Sequence, residues 1–597
     1  MLITGTKLFD SVSCGYYHLL SNQQEINDIN VFPVADGDTG TNMLHTFKAA
    51  LTKTNRSKSI ARTTDKMAQS ALIGARGNSG MIIAQFFRGF YEVAKDFEAL
   101  SVQNFVASVN SAVTFAYDAV ETPVEGTILT VMHSWSRAIN EAWHAKTPIP
   151  LLLRRALRSA KTAETLTTEQ LQALKKAGVV DAGARAFVYF LEGIDQYLSH
   201  GKDVRMEENQ SFEIEHQLSD AHEQLLERPT FRYCTEALLC SCTIAPEKAK
   251  EVLHDLGDSL VIGSHKETMR VHIHTGSPNM VFRRLEEFSR IEETKVDDML
   301  AQYTAIHERL SDIAIVTDSS ADIPQYLKDT LQIYQIPQVI QWNDRSFIDR
   351  ISVDNTYLLE TMLTSEDLPT SSMPSSGSIG RHLEFLSEHY REIIIISVSA
   401  ALSGTFRTYE LAARELRKRD YPIQIIDCKR NAGAQGLITI KAAQAAADGE
   451  SAPAIKDRIA SLIKRSTILV SVQSLESMVR GGRVPEKIGR LIVKSGIKPI
   501  VGLSPEGSGA IKGIKLTQNG SASALIRRFV RDWKHGGITE FSISHVKAPE
   551  LAHTIALIIQ QKTGLQPKFI QETSPVVSLH AGKGAVSIAW IREPERA

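Results

Sequence analysis

At 597 residues the chain is too long for one core, and domains of roughly 100 to 200 residues suggest three or four of them. Lys plus Arg (67) against Asp plus Glu (68) leaves no global basic field to gather nucleic acid or an anionic membrane, so any anion is held locally. The opening residues lack a basic n-region and a cleavage site, no apolar run reaches the roughly 18 residues of a membrane span, and five scattered cysteines form no disulfide framework, which together predict a cytoplasmic protein.

From residue 1 to about 200 the apolar spacing is mostly helical, as in AQSALIGARGNSGMIIAQFFRGFYEVA and LTVMHSWSRAINEAW, which predicts an all-α first domain. Within it, the segment from Asn30 to Met43 places Asp36 and Asp38, one glycine apart, before a helix marked by Leu44, Phe47 and Leu51. An acidic pair repels a nucleotide's phosphates unless it holds Mg²⁺, so Asp36 and Asp38 are candidate metal ligands. Thr41, Asn42 and the backbone N–H groups of the helix start are then candidate phosphate contacts. Taken alone, DGDTG is more often a plain turn with an Asp cap. Three more glycine loops run into apolar-periodic helices: Gly77-Asn78-Ser79-Gly80, Glu125-Gly126-Thr127 and Asp181-Ala182-Gly183. Each by itself is an ordinary inter-helix turn. Four such N-termini together suit one polyphosphate.

NVFPVADGDTGTNM, GARGNSG, PVEGTILTV and DAGARAF resemble the nucleotide-binding domain shared by fatty acid kinases and the ADP-binding subunit of dihydroxyacetone kinases, the DhaL or DAK2 type. The resemblance, taken over residues 1–202, implies a barrel of helices with ATP at one end. It makes Asp36 and Asp38 Mg²⁺ ligands, Asn30 a third metal contact, and Thr41, Asn42, Ser79 and Gly80 phosphate contacts, with Gly126, Thr127 and Asp181 lining the nucleotide. Asn30 stands where the dihydroxyacetone kinase relatives tend to carry another aspartate, which favours the fatty acid kinase branch.

The polar stretch SHGKDVRMEENQSFEIEHQLSD breaks the helical pattern, and strand-like TFRYCTEALLCSC and MRVHIHT around helix-like KAKEVLHDL predict a small α/β domain over 212–308. Alternation in Arg270-Val-His272-Ile-His274 sends both imidazoles to one strand face. With the Cys234 thiolate they would supply three ligands and an open fourth position for Zn²⁺, Cys240 and Cys242 being rivals on the same strand parity. The YCTE and VHIHT segments resemble the middle domain of fatty acid kinases, which implies a role in activity for Cys234, His272 and His274.

From Ile313 the runs IAIVTDSS, EIIIISVSA, IQIIDCK and TILVSVQS alternate with amphipathic helices and predict a parallel sheet. Loops rich in hydroxyl or glycine follow: Thr370-Ser371-Ser372, Ser403-Gly404-Thr405 and His580-Ala-Gly582, and Arg480 with Arg483 adds guanidinium groups. Gathered at strand ends, they suit a carboxylate or phosphate. With VTDSSADIP they resemble the DegV family of fatty-acid-binding proteins over nearly all of 312–597. That implies two α/β lobes around an apolar tunnel, with Ser371, Ser372, Ser403, Gly404 and His580 at the carboxylate and Arg480 nearby; its fixed positive charge suits the phosphorylated product or the approaching γ-phosphate. Ser371 and Met373 depart from the usual Thr and Gln, and Ala581 and Lys583 from the usual His-Thr-Gly-Pro-Gly loop.

The expectation is a multidomain kinase that uses ATP and Mg²⁺, with Zn²⁺ at the Cys/His cluster, to phosphorylate the carboxylate of a fatty acid held by its own C-terminal half. The catalytic set is Asp36, Asp38, Cys234, His272, His274 and Arg480. The partner is a fatty acid, with no nucleic acid and no transmembrane segment; a homodimer is left open and the acyltransferase downstream is unspecified. The alternatives are a dihydroxyacetone kinase-type enzyme and a non-catalytic lipid-binding regulator.

Overall fold

The computed structural model describes residues 2–32, 37–144, 147–200, 228–343, 345–364, 367–480, 482 and 497–594. The chain divides into two compact units, Met1–Tyr303 and Thr304–Ala597.

The first unit opens with helices α1 (Gly5–Leu20), α2 (Gln23–Asp28), α3 (Thr39–Thr52), α4 (Ile60–Gly74), α5 (Gly77–Ala94), α6 (Val102–Ala119), α7 (Ile128–Ala142), α8 (Ile149–Gln170), α9 (Gln172–Ala177) and α10 (Ala182–His200). A helix apolar on nearly every side belongs at the centre of a bundle. α5 is that helix: Met81, Ile82, Ile83, Ala84, Phe86, Phe87 and Phe90 are all buried. Phe47, Phe86, Phe87, Trp135, Phe187 and Phe190 stack or meet edge to face around it. The helical expectation holds, with one addition: Ile3–Thr4 (β1) pairs with Ala99–Leu100 (β2), too short to leave an alternation signal.

The same unit continues with β3 (Tyr233–Cys240), α11 (Pro246–Leu253), β4 (Gly257–His265), β5 (Thr268–Thr275), α12 (Pro278–Glu286) and β6 (Arg290–Asp298), an antiparallel sheet in the order β4-β5-β3-β6. One sheet face packs Ala237, Leu239, Val271 and Ile273 with Leu253 of α11 and Val281, Phe282 and Leu285 of α12. The other turns towards the helices: Val261 joins their core, and His265 bonds Asp65 at 3.0 Å.

In the second unit, β7 (Ile313–Asp318), β8 (Ile333–Ile336), β9 (Val339–Trp342), β10 (Arg345–Ile348), β11 (Thr370–Ser372), β12 (Glu392–Ser397), β13 (Ile423–Asp427), β14 (Ser466–Ser471), β15 (Lys498–Leu503), β16 (Gly509–Lys515), β17 (Ile538–His545), β18 (Ile570–Glu572) and β19 (Val586–Arg592) build three sheets. β13-β12-β7-β8 is wholly parallel, as expected, and Ile393 to Ile396 are fully buried because helices cover both faces. The fourth run behaves otherwise. β14 lies in the six-stranded sheet β16-β15-β14-β19-β17-β18, antiparallel to both neighbours, because a continuous apolar run reports burial and not strand direction. A third, three-stranded sheet, β10-β9-β11, is antiparallel. The nearly all-buried helix Ala432–Ala447 packs with Ile315, Ile394 and Ile396 of the parallel sheet and Ile468, Ala589 and Ile591 of the mixed one. At Gly436 an added Cβ would stand 2.3 Å from the Asp322 carbonyl, so the helix approaches that loop only as glycine. Among the described residues no helix is long and apolar enough to cross a membrane.

Candidate functional site

The start of α3 is built in an unexpected way. Asp38 is its N-cap residue, yet the carboxylate makes no capping bond; Oδ2 accepts from Asn42 Nδ2 at 2.6 Å. The cap comes instead from Asn27 on α2, whose Oδ1 accepts the N–H of Gly40 at 2.9 Å and of Thr41 at 3.3 Å. The ordinary reading of DGDTG as a self-capped turn therefore does not describe this helix. Thr39 donates to Asn30 Oδ1 at 3.0 Å and stands 3.5 Å from Ser79 Oγ on α5, so Asn30, Thr39 and Ser79 meet. Gly77 adopts φ +55°, and a Cβ there would lie 2.5 Å from Asn42 Nδ2, which keeps the two helix starts close. Asn78 Oδ1 is buried without a hydrogen-bond partner.

Asp38, Asn42, Asn30, Ser79 and Gly80 thus gather at the starts of α3 and α5. Thr41 turns elsewhere, its hydroxyl oxygen accepting from Gln23 at 2.9 Å and Asn27 at 3.0 Å. Asp36 lies outside the described residues. The other two loops pair with each other: Asp181 caps α10 by accepting the Ala184 N–H at 2.8 Å and also takes the Ile128 N–H at the start of α7. Burial pushes the Asp181 carboxyl up to about 7 against those two bonds. Thr127 caps α7 through Leu129 N–H, and Gly126, at φ +87°, donates to Thr130 Oγ1 at 2.8 Å. Thr39, Asn27 and Asn78 were missed by the sequence reading; only proximity after folding marks them.

In the middle sheet, register sets Cys234 opposite His274 and Glu236 opposite His272. Ligand atoms of Cys234, His272 and His274 lie within 4.8 Å of one another, with Cys234 Sγ 3.8 Å from His272 Nδ1. His272 Nε2 is buried without a partner. Burial, and secondarily His272, lower His274 to about 3, so it stays the neutral imidazole a metal needs. A soft sulfur with two imidazoles, one ring nitrogen of which is buried and unsatisfied, fits Zn²⁺. Cys240 ends β3 opposite Arg290, and Cys242 Sγ faces the Ile244 carbonyl; neither joins the cluster, because β3 runs away from it. Glu236 also escaped the sequence reading. Burial raises its pKa, but His272, Lys295 and Arg270 together hold the carboxyl well below the usual range.

The second unit holds a cavity whose empty space, open mouth included, is about 1000 Å³. Ile468, Val470, Met478, Val501, Leu503 and Val546 make apolar walls. Ser371, Ser403 and His580 all line it, and Ser371 Oγ is 3.1 Å from His580 Nε2. Ser403 Oγ is 2.8 Å from Thr405 Oγ1, which Gln338 Nε2 approaches at 3.4 Å while bonding Ser320 at 2.9 Å. Behind them Asp318 accepts the N–H of Ser320 and of Val398, and Asp349 accepts Ser319 Oγ and the Val576 N–H. Burial pushes both acids up to about 6. Two expected contacts fall away. Ser372 sits one residue from Ser371, so strand alternation turns it from the cavity, and Gly404 packs on Met373 Sδ, where a Cβ would come within 2.5 Å. The Arg480 side chain and Arg483 lie outside the described residues.

Family comparison finds three matches in succession: the DAK2 domain over residues 33–196, the fatty acid kinase A-like middle domain over 230–306, and the DegV family over 312–593. An uncharacterized protein of Staphylococcus haemolyticus is 31% identical over 313 residues, 51% of this chain and 56% of its own length, and one of Staphylococcus epidermidis is 30% identical over 321 residues, 52% and 58%. The chain thus spans little more than half the length of these relatives. Solved structures similar to it include DegV, a fatty acid binding protein from Bacillus subtilis (25% identical, 47% of this chain, 100% of that one, TM-score 0.43). Another is the Streptococcus pneumoniae fatty acid kinase B3 protein loaded with linoleic acid (20%, 47% and 99%, TM-score 0.42).

Proposed function

We propose that this chain, which joins a DAK2 domain, a fatty acid kinase A-like middle domain and a DegV domain, is an ATP-dependent kinase acting on the carboxylate of a fatty acid that its own DegV unit holds. That succession of domains in one chain is the observation that carries the reading. The apolar cavity with Ser371, Ser403 and His580 supports it from the substrate side, since burial of an acyl chain contributes about 0.8 kcal/mol per CH₂ while the polar cluster fixes which end is presented.

On the nucleotide side, Asp38, Asp36 and Asn30 would hold Mg²⁺, which when bound neutralises charge on the phosphates. Asn42 and Ser79, at the starts of α3 and α5, orient the phosphate chain, favoured by the helix dipoles. A carboxylate oxygen of the fatty acid attacks the γ-phosphorus in line, the bond from that phosphorus to the β–γ bridging oxygen breaks, and ADP leaves with the electron pair. The product is an acyl phosphate. No general base is needed, because a carboxylate with a reference pKa near 4 to 5 is already ionised at pH 7. Ser371 and His580 position the carboxylate, and Arg480 suits the arriving phosphate. Cys234, His272 and His274 would hold Zn²⁺, which would fix the face of the middle sheet beside α5.

The test is ADP release by the full chain with and without a long-chain fatty acid. The expected result is release that depends on the fatty acid, is unmoved by dihydroxyacetone and is lost in Asp38→Ala; ADP release indifferent to fatty acid defeats the proposal.

A further inference from the structure

α5 begins without a cap of its own, because Arg76 at its N-cap position makes no side-chain bond to the first turn. The acceptor for its first N–H comes from the middle sheet: Gly77 donates to Glu236 Oε1 at 3.2 Å. The same carboxylate takes Arg270 Nη2 on Oε2 at 2.9 Å, and His272 Nδ1 lies 3.5 Å from Oε1. Arg270 in turn donates from Nη1 to the Ile73 carbonyl at 2.9 Å, in the last turn of α4. The loop that delivers Asn78, Ser79 and Gly80 is therefore gripped on both sides by two middle-sheet residues. Glu236 is 3% exposed and Arg270 8% exposed, so both bonds act where water does not compete.

An ion pair for Arg270 has no need to reach Gly77, and a helix cap has no need of a cluster histidine. Glu236 does both: Oε2 pairs with Arg270, while Oε1 caps Gly77 and faces His272. We propose that Glu236 is a positioning residue that couples the Cys234–His272–His274 cluster to the nucleotide loop: the orientation of the His272 ring, fixed when the cluster holds a divalent cation, sets how Oε1 holds the Gly77 N–H. The inference rests on the proposed reading of both sites. Linkage is reciprocal, so whatever factor the cation contributes to nucleotide affinity, the nucleotide contributes to cation affinity.

The experiment is calorimetric titration of a non-hydrolysable ATP analogue with Mg²⁺ into the full chain, loaded with Zn²⁺ or stripped by chelator, in wild type and Glu236→Gln, with zinc content and thermal melts measured on each. Wild type should lose affinity by about tenfold on stripping, within the roughly 5- to 150-fold of ordinary coupling. Glu236→Gln should retain its zinc, melt cooperatively and bind the analogue at the weakened level in both forms. Equal affinity of the loaded and stripped wild type, or full zinc dependence surviving in Glu236→Gln, overturns the coupling. Should the variant not fold, the reciprocal titration in wild type decides: Zn²⁺ affinity must rise by the same factor when the analogue is present, and an unchanged value overturns the proposal. A wild type that binds no analogue in either form defeats the proposed function as well, whereas binding without linkage defeats the coupling alone.

Discussion

Asp38 is the N-cap residue of α3, and its carboxylate leaves the capping to Asn27. Replacing it therefore removes a charge from the proposed phosphate site without uncapping the helix. Asp38→Ala should lower turnover by at least about a hundredfold while the thermal midpoint stays within a few degrees, because a charge clamp on a transferring phosphoryl group is worth about that much. Near-normal turnover at ordinary Mg²⁺ removes Asp38 from the metal site. Asp181 makes a different prediction. Its carboxyl is raised from 3.8 to about 7, so the folded state binds the proton more tightly than the unfolded chain. The cost of its buried charge is fully present above pH 7 and is relieved as pH falls towards 4, a swing of up to roughly 4 kcal/mol at 1.36 kcal/mol per unit. Asp181→Asn keeps an acceptor for the Ala184 N–H, so it should stabilise the chain at pH 8 and lose that advantage by pH 5. Melts of both proteins at the two pH values check this; an advantage that grows on acidification contradicts it.

At the scale of elements, Gly77 ties α5 to α3. Ala in its left-handed backbone costs about 1 to 3 kcal/mol and would press on Asn42 Nδ2, so Gly77→Ala should weaken nucleotide binding and lower the thermal midpoint. Titration with an ATP analogue and a melt measure both. In the second unit, Ser371→Ala leaves the apolar walls intact and removes the hydroxyl beside His580, so fatty acid should still be retained, as mass spectrometry of the purified chain would show, while turnover drops. Periodicity made the helices around α5 legible, and alternation in VHIHT made the shared face of His272 and His274 legible. Register did not show in the sequence. Only the pairing of β3 with β5 brings Glu236 opposite His272, and only the packing of sheet on helices brings it to Gly77. Thr39 and Asn27 escaped for the same reason, since a lone hydroxyl or amide carries no spacing signal before its neighbours arrive. The direction of β14 escaped because burial on both faces looks alike in parallel and antiparallel strands.

The molecule as a whole combines a helical unit in which the starts of α3 and α5 meet, with a Cys/His-bearing sheet against it, and an α/β unit with an apolar cavity lined by hydroxyl and imidazole groups. Neither unit by itself accounts for the other's chemistry. The proposed phosphoryl transfer to a carboxylate would use both, and its product would be an activated acyl group that nucleophiles attack. The most direct measurement is therefore on that product: incubate the full chain with ATP, Mg²⁺, a long-chain fatty acid and hydroxylamine, and look for the acyl hydroxamate by mass spectrometry. The account predicts hydroxamate that accumulates with ADP and is absent from Asp38→Ala. ADP formed at the wild-type rate with no hydroxamate, over a range of chain lengths, would contradict it.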